Sequence, residues 1–254
     1  MSENRHLDWP GCFNVRDLGG LPTVDGRETA RGAVVRADSL QRLTAAGWST
    51  LLEHGVRTVI DLRNDAEIGA DHAARPDLLT TIHLPLDPDK DPMFESAWHS
   101  GPQFGTPLYY RAHLQRFPQL SGGVVSAIAR AQAGGVVFHC VGGRDRSGQI
   151  AMLLLALAGV PAAEIAADYA LSAERLSGLF AAVGVEDQGP ELEAFLAERG
   201  TTAAEVILTT LSSLDVELQL RAGGLTDEDV AAIRARLLSP APQHDRDRSR
   251  CAAR

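Results

Sequence analysis

The chain has 254 residues, 44% of them hydrophobic, and a formal net charge of −9, so it can bury a substantial core as one domain but has no general attraction to nucleic acid or to anionic membrane surfaces. Its three cysteines, Cys12, Cys140 and Cys251, are odd in number and widely separated, which argues against both a disulfide framework and a zinc site. The N-terminal MSENRHLDWPG lacks an apolar leader region, and no segment offers the roughly 18 uninterrupted apolar residues of a membrane span, so a cytoplasmic protein without integral membrane contact is expected.

In chain order, GAVVRA (Gly32 to Ala37) and VRTVIDL (Val56 to Leu62) read as strands. Between them LTAAGWSTLLEHG reads as a helix that Thr44 caps and Gly55 ends. TIHLPL (Thr81 to Leu86) is a further strand, stopped by DPDKDP. The stretch from Pro85 to Pro107 has no clear period and reads as a long surface excursion, a kind of segment that often carries function. VVSAIARAQAGG then reads as a helix and VVFHC as a buried strand of continuous apolar type.

Strands separated by helices predict an α/β fold with a largely parallel central sheet flanked by helices. Beyond Ser147 the pattern is helical only, with Pro161 at a first helical position and capping boxes at Thr202 with Glu205 and Thr226 with Asp229. TTAAEVILTTLSSLDVELQL is read as one helix, residues 1–238 as a single domain, and 239–254 as a disordered tail too polar to fold.

The chemistry concentrates in VVFHCVGGRDRSGQ, Val136 to Gln149. A parallel strand delivers Cys140 to the carboxyl edge of the sheet, where crevices bind ligands. The helix that follows points its free N–H groups and the positive end of its dipole back at the loop, which makes an anion site. Gly142 and Gly143 let successive N–H groups curl toward one centre, and Arg146 can grip two oxygens of a phosphate. The same positive field favours Cys140 as a thiolate.

Cys140, five residues, Arg146 and Ser147 match the C-x5-R-[S/T] signature of cysteine-dependent tyrosine phosphatases. With NVRDLGG (Asn14 to Gly20), VRADSL and GVRTVIDLRNDAE, the loop HCVGGRDRSG resembles a bacterial tyrosine phosphatase family. Its members carry N-[FIV]-R-D-[LIV]-G-G and H-C-x-x-G-K-D-R-[ST]-G, and it includes secreted mycobacterial enzymes active on phosphotyrosine, phosphoserine or phosphothreonine, and phosphoinositides. The resemblance runs from about Trp9 to Ser172, and Arg144 stands where the family has lysine.

The resemblance implies a cysteine-phosphatase-like fold in which Cys140 attacks phosphorus to form a cysteinyl-phosphate. Arg146 and the N–H groups of Val141, Gly142, Gly143, Arg144, Asp145 and Arg146 hold the equatorial oxygens. Ser147 hydrogen-bonds the sulfur, His139 orients the loop, and neither metal nor cofactor is needed. Asp145 is the expected general acid. The alternative is Asp87, placed by IHLPLD where dual-specificity phosphatases carry theirs. Arg16, Asp17, Asp61 and Arg63 are expected to brace the loop rather than touch substrate, and residues 161–220 to form a helical lid. The expected partner is a phosphorylated protein or a small phosphorylated molecule. Two other classes stay open, a rhodanese-like sulfur carrier and an inactive phosphate-binding module.

Overall fold

Five strands form one sheet in the computed structural model, which describes residues 5–69, 75–88 and 91–239. They are β1 (Arg16–Asp17), β2 (Val34–Ala37), β3 (Val56–Asp61), β4 (Thr80–His83) and β5 (Gly135–His139), in the order β1-β2-β5-β3-β4. Only β1 runs antiparallel to its neighbour. The central place of β5 follows from its composition: all five residues are buried, as a parallel strand covered on both faces requires. Register puts Ala37, His139 and Asp61 side by side at the ends of three adjacent strands, so the loops after β2, β5 and β3 leave one edge at one level.

The helices are α1 (Ala45–Glu53), α2 (Asp65–Ile68), α3 (Pro92–Phe94), α4 (Tyr110–Arg116), α5 (Pro118–Arg130), α6 (Asp145–Leu157), α7 (Ala162–Val183), α8 (Gly189–Ala197), α9 (Ala203–Ser213), α10 (Val216–Ala222) and α11 (Asp227–Leu237). Side chains alternate across the sheet, as the period of two demands. Val35, Val59 and Val137 pack with Trp9, Trp48 and Leu51 on the α1 face, while Val34, Ile60 and Phe138 pack with α5, α6 and α11 on the other. The α/β architecture with a largely parallel sheet is as the sequence indicates. No helix among the described residues is long and apolar enough to cross a membrane.

Thr44 caps α1 by accepting from Gly47 N, and both expected capping boxes are present, on α9 and on α11. Three features differ from the sequence reading or go beyond it. The helix read across 201–220 breaks in two, because Asp215 caps a new start at α10 by accepting from Leu218 N. Strand β1 escapes a sequence reading because it is two residues long and made of Arg and Asp. The excursion before Pro107 runs largely over the surface where it is described, but Phe94 pins it inward and Tyr109 secures the chain just after it: the two are 4% and 1% exposed, held by edge-to-face contacts with His99, His113 and Phe117. Such an aromatic cluster anchors a chain without any helical or strand period. The tail expected from 239 onward lies, from residue 240, outside the described residues.

Candidate active site

Cys140 leaves the end of β5 only 3% exposed, and α6 begins five residues later. Between them the chain turns so that every carbonyl from Cys140 to Asp145 has a partner behind or beside the loop. Cys140 O meets His139 Nδ1 at 3.3 Å, Val141 O accepts from Ser39 N and Gly142 O from Asn14 Nδ2, each at 3.0 Å. Arg36 Nη2 donates to both Gly143 O and Arg144 O at 3.0 Å, and Tyr110 Oη donates to Asp145 O at 2.6 Å. Carbonyls bound in this way leave the N–H side of the loop for an anion, the arrangement of a backbone nest.

The turn needs glycine at Gly143, whose φ is +68° and where a Cβ would lie 2.6 Å from Asp38 N. Ser147 is fully buried with Oγ 3.7 Å from Cys140 Sγ, in place to donate to a thiolate. The first turn of α6 adds its own free N–H groups and the positive end of its dipole.

Arg146 is held from the β3 side. Its Nη2 donates to Glu67 Oε1 at 2.7 Å, its Nη1 to Glu67 Oε2, and Asp87 Oδ2 lies 3.1 Å from Nη1. Burial would lower the guanidinium pKa, but Glu67, Cys140 and Asp87 outweigh it and hold it above its ordinary value. Glu67 keeps its place through the capping box with Asn64 at the start of α2.

The two candidate acids occupy different ground. Asp145 lines the cavity above Cys140, its carboxylate paired with Arg144 Nε at 3.1 Å and accepting from Tyr169 Oη at 3.3 Å. Asp87 lies behind Arg146, 6% exposed, and is absent from the cavity wall. Burial, opposed by Arg146 and His99, raises the pKa of Asp87 above the ordinary carboxylate value. Arg144 is the wall residue that fixes Asp145, which makes it more than a lysine substitute.

Of the residues expected to brace the loop, His139 is fully buried. It meets the Cys140 carbonyl with Nδ1 and Asp61 with Nε2 at 3.6 Å; burial, against the pull of Asp61, lowers its pKa to about 4. Asp61 takes the Arg63 guanidinium, and Arg63 reaches on at 3.0 Å to Oγ of Ser39, the residue whose N–H holds the Val141 carbonyl. Arg16 reaches the loop at one remove through Asn14 at 3.4 Å, and at two through Asp168 at 3.0 Å and then Arg36. Asp17 differs from the expectation: its carboxylate accepts from Gly19 N and Gly32 N, so it ties the turn leading into β2 instead of the loop.

Sequence reasoning passed over Glu67, Arg36 and Asp168. The first lies within GVRTVIDLRNDAE, the second within VRADSL, and the third in DYALS. The first two stretches were visible as motifs, but the partners of their side chains were not.

A cavity of about 650 Å³ rises from Cys140, Asp145 and Arg146. Its upper wall is apolar, with Phe104, Leu176, Leu179, Phe180, Val183 and Leu192 from the excursion, the C-terminal half of α7 and α8. Farther along, α10 contacts α5 and α6, so the cover occupies only part of the expected 161–220 segment. Among the described residues no group of three or more His, Cys, Asp or Glu is placed to hold a metal ion.

Residues 7–239 match a tyrosine phosphatase family. A tyrosine-protein phosphatase from Nostoc commune is 40% identical over 148 residues, 58% of this chain and 50% of that protein. The triple specificity protein phosphatase PtpB of Mycobacterium tuberculosis is 28% identical over 203 residues, 68% of this chain and 71% of that protein. The chain thus spans between 50% and 71% of the length of these curated relatives.

Proposed function

Because this chain belongs to the tyrosine phosphatase family, we propose that it hydrolyses phosphate monoesters, phosphotyrosine in proteins foremost, through a cysteinyl-phosphate. The observation that carries the reading is the loop from Cys140 to Asp145, whose carbonyls are all engaged while a buried sulfur, the N–H side of the loop and Arg146 meet at the cavity floor. The aromatic and aliphatic upper wall suits an aryl phosphate, because a nearly buried sulfur is best reached by a long, flat substituent.

In the first step the Cys140 thiolate attacks phosphorus as the ester P–O bond breaks, and the leaving oxygen takes a proton from Asp145. The loop N–H groups and Arg146 stabilise the equatorial oxygens. In the second step water attacks phosphorus, its proton passes to Asp145, and the P–S bond breaks to return the thiolate, which the Ser147 hydroxyl stabilises. Inorganic phosphate leaves. Asp145 is assigned as acid because it lines the cavity, whereas Asp87 has Arg146 in front of it.

Hydrolysis of p-nitrophenyl phosphate tests the reading. The protein should turn over, vanadate should inhibit competitively, chelators should change nothing, and Cys140→Ser should lose at least about 10⁴-fold. A Cys140→Ser protein retaining a tenth of the rate, or a chelator effect reversed by metal, sinks the cysteinyl-phosphate mechanism. Sulfur transfer without phosphate release would favour a rhodanese-like carrier, and phosphate binding without turnover an inactive module.

A further inference from the structure

Beneath the loop lies a charge cluster that the chemistry above does not use. Asp168, in the N-terminal half of α7, is fully buried and meets three guanidiniums: Arg5 Nη2 at 2.7 Å, Arg16 Nε at 3.0 Å and Arg36 Nη1 at 2.9 Å. Burial pushes its pKa up, but Arg16, Arg36 and Arg5 together hold it below the ordinary carboxylate range. Of the three arginines, Arg36 sends its other nitrogen, Nη2, to Gly143 O and Arg144 O.

We propose that Arg36 is a positioning residue for the phosphate loop and that Asp168 acts through it, fixing the guanidinium whose fork turns two successive loop carbonyls away from the phosphate. The chemistry requires this residue type. A planar guanidinium can serve a carboxylate with one nitrogen and two carbonyls with the other, which a lysine ammonium on a flexible stem cannot do in the same plane. The position is equally specific. A peptide unit has its N–H and C=O on opposite sides, so holding Gly143 O and Arg144 O outward aims the N–H groups of Arg144 and Asp145 inward. The anchor is in the same helix whose far half lines the cavity, so the loop and the root of its cover share one buried group. The inference rests on the loop being the phosphate site.

The test reads anion binding as well as rate. Arg36→Gln leaves Asp168 with Arg5 and Arg16, so the buried carboxylate stays compensated. It should lower kcat/KM for p-nitrophenyl phosphate by about 10²-fold, the scale of a small misplacement of catalytic groups, and raise the vanadate inhibition constant by about 10-fold or more. Arg36→Lys should recover only part of either. If Arg36→Gln does not accumulate folded, Arg36→Lys is read alone against the wild type. As a stability control, Arg130→Gln breaks an ion pair with Asp229 between α5 and α11 and should leave the vanadate constant unchanged.

Asp168→Asn, or Asp168→Glu where the amide variant does not fold, should weaken vanadate strongly in the Arg36 background and little in the Arg36→Lys background. Vanadate inhibition and kcat/KM within about twofold of wild type in the folded Arg36 variants, or equal effects of the Asp168 change in both backgrounds, would overturn the proposal. Should Cys140→Ser keep turning over, the cysteinyl-phosphate mechanism fails by itself, and the vanadate data would still decide whether Arg36 shapes the anion site.

Discussion

Behind the loop, Arg16, Arg36 and Asp168 are each no more than 1% exposed and every carbonyl from Cys140 to Asp145 has a partner. Over its mouth, Val183 and Val185 are 44% and 54% exposed, and Glu191, Glu193 and Glu198 of the α8 region face solvent. The cradle is thus specified by polar groups that have one low-energy arrangement, since each buried donor or acceptor left unpaired costs about 1–3 kcal/mol. The cover rests on apolar contact, which is non-directional and tolerates exchange of one hydrophobic side chain for another. Catalysis should therefore be brittle on the cradle side and tunable on the cover side.

The sharpest way to break that contrast is Gly143→Ala. A Cβ there meets Asp38 N and Ala37 C at under 3 Å on a backbone with φ of +68°, so the loop must shift, and kcat/KM should fall by about 10²–10³-fold. A folded Gly143→Ala enzyme with wild-type kinetics would show that the cradle is as forgiving as the cover.

Next in size is the acid. Asp145→Asn should lower kcat on phosphotyrosine by about 10²-fold, with the loss shrinking for aryl phosphates that have very acidic leaving groups. Asp87→Asn should cost far less. If the leaving-group trend and the pH dependence follow Asp87, the acid lies behind Arg146 and the assignment is wrong.

On the cover, Leu192→Ala should change KM for a phosphotyrosine peptide by about 10-fold or less and kcat for p-nitrophenyl phosphate hardly at all. A large kcat effect on the small substrate would make α8 part of the chemistry.

The smallest effect is on stability, and it comes from the support side. His139 and His113 are buried with pKa lowered to about 4, by burial in both, against Asp61 for His139 and against the Leu86 carbonyl for His113. Because the folded pKa lies below the unfolded value of about 6.5, the unfolded chain takes up the proton first. Stability is then complete above the unfolded value and is lost as pH falls from there toward about 4. Between pH 7 and 6 each histidine should cost less than about 1 kcal/mol, read as a small fall in Tm that His139→Asn reduces.

Much of this was legible. The strand, the cysteine, the two glycines, Arg146 and the helix start are contiguous, so local pattern was enough to place Cys140, Asp145, Arg146 and Ser147 around one loop. The inward fold of Phe94 and Tyr109 was not, since aromatic clustering leaves no period, and neither was the break at Asp215, where a cap interrupts a run that otherwise reads as helix.

The sequence by itself determined the Cys140 loop and the α/β alternation, because both depend on neighbours in the chain and on the elementary geometry of strands and helices. Which distant side chains hold that loop was decided only by tertiary structure. Strand order sets β5 between β2 and β3 in a register that aligns Ala37, His139 and Asp61. That alignment carries Ser39 and Glu67 on the following segments to opposite sides of the loop, with Arg36 of β2 beneath it. Asp168 joins them from a helix 132 residues beyond Arg36. Contacts at such separations are fixed by sheet pairing and helix packing, and no local pattern of residues encodes them.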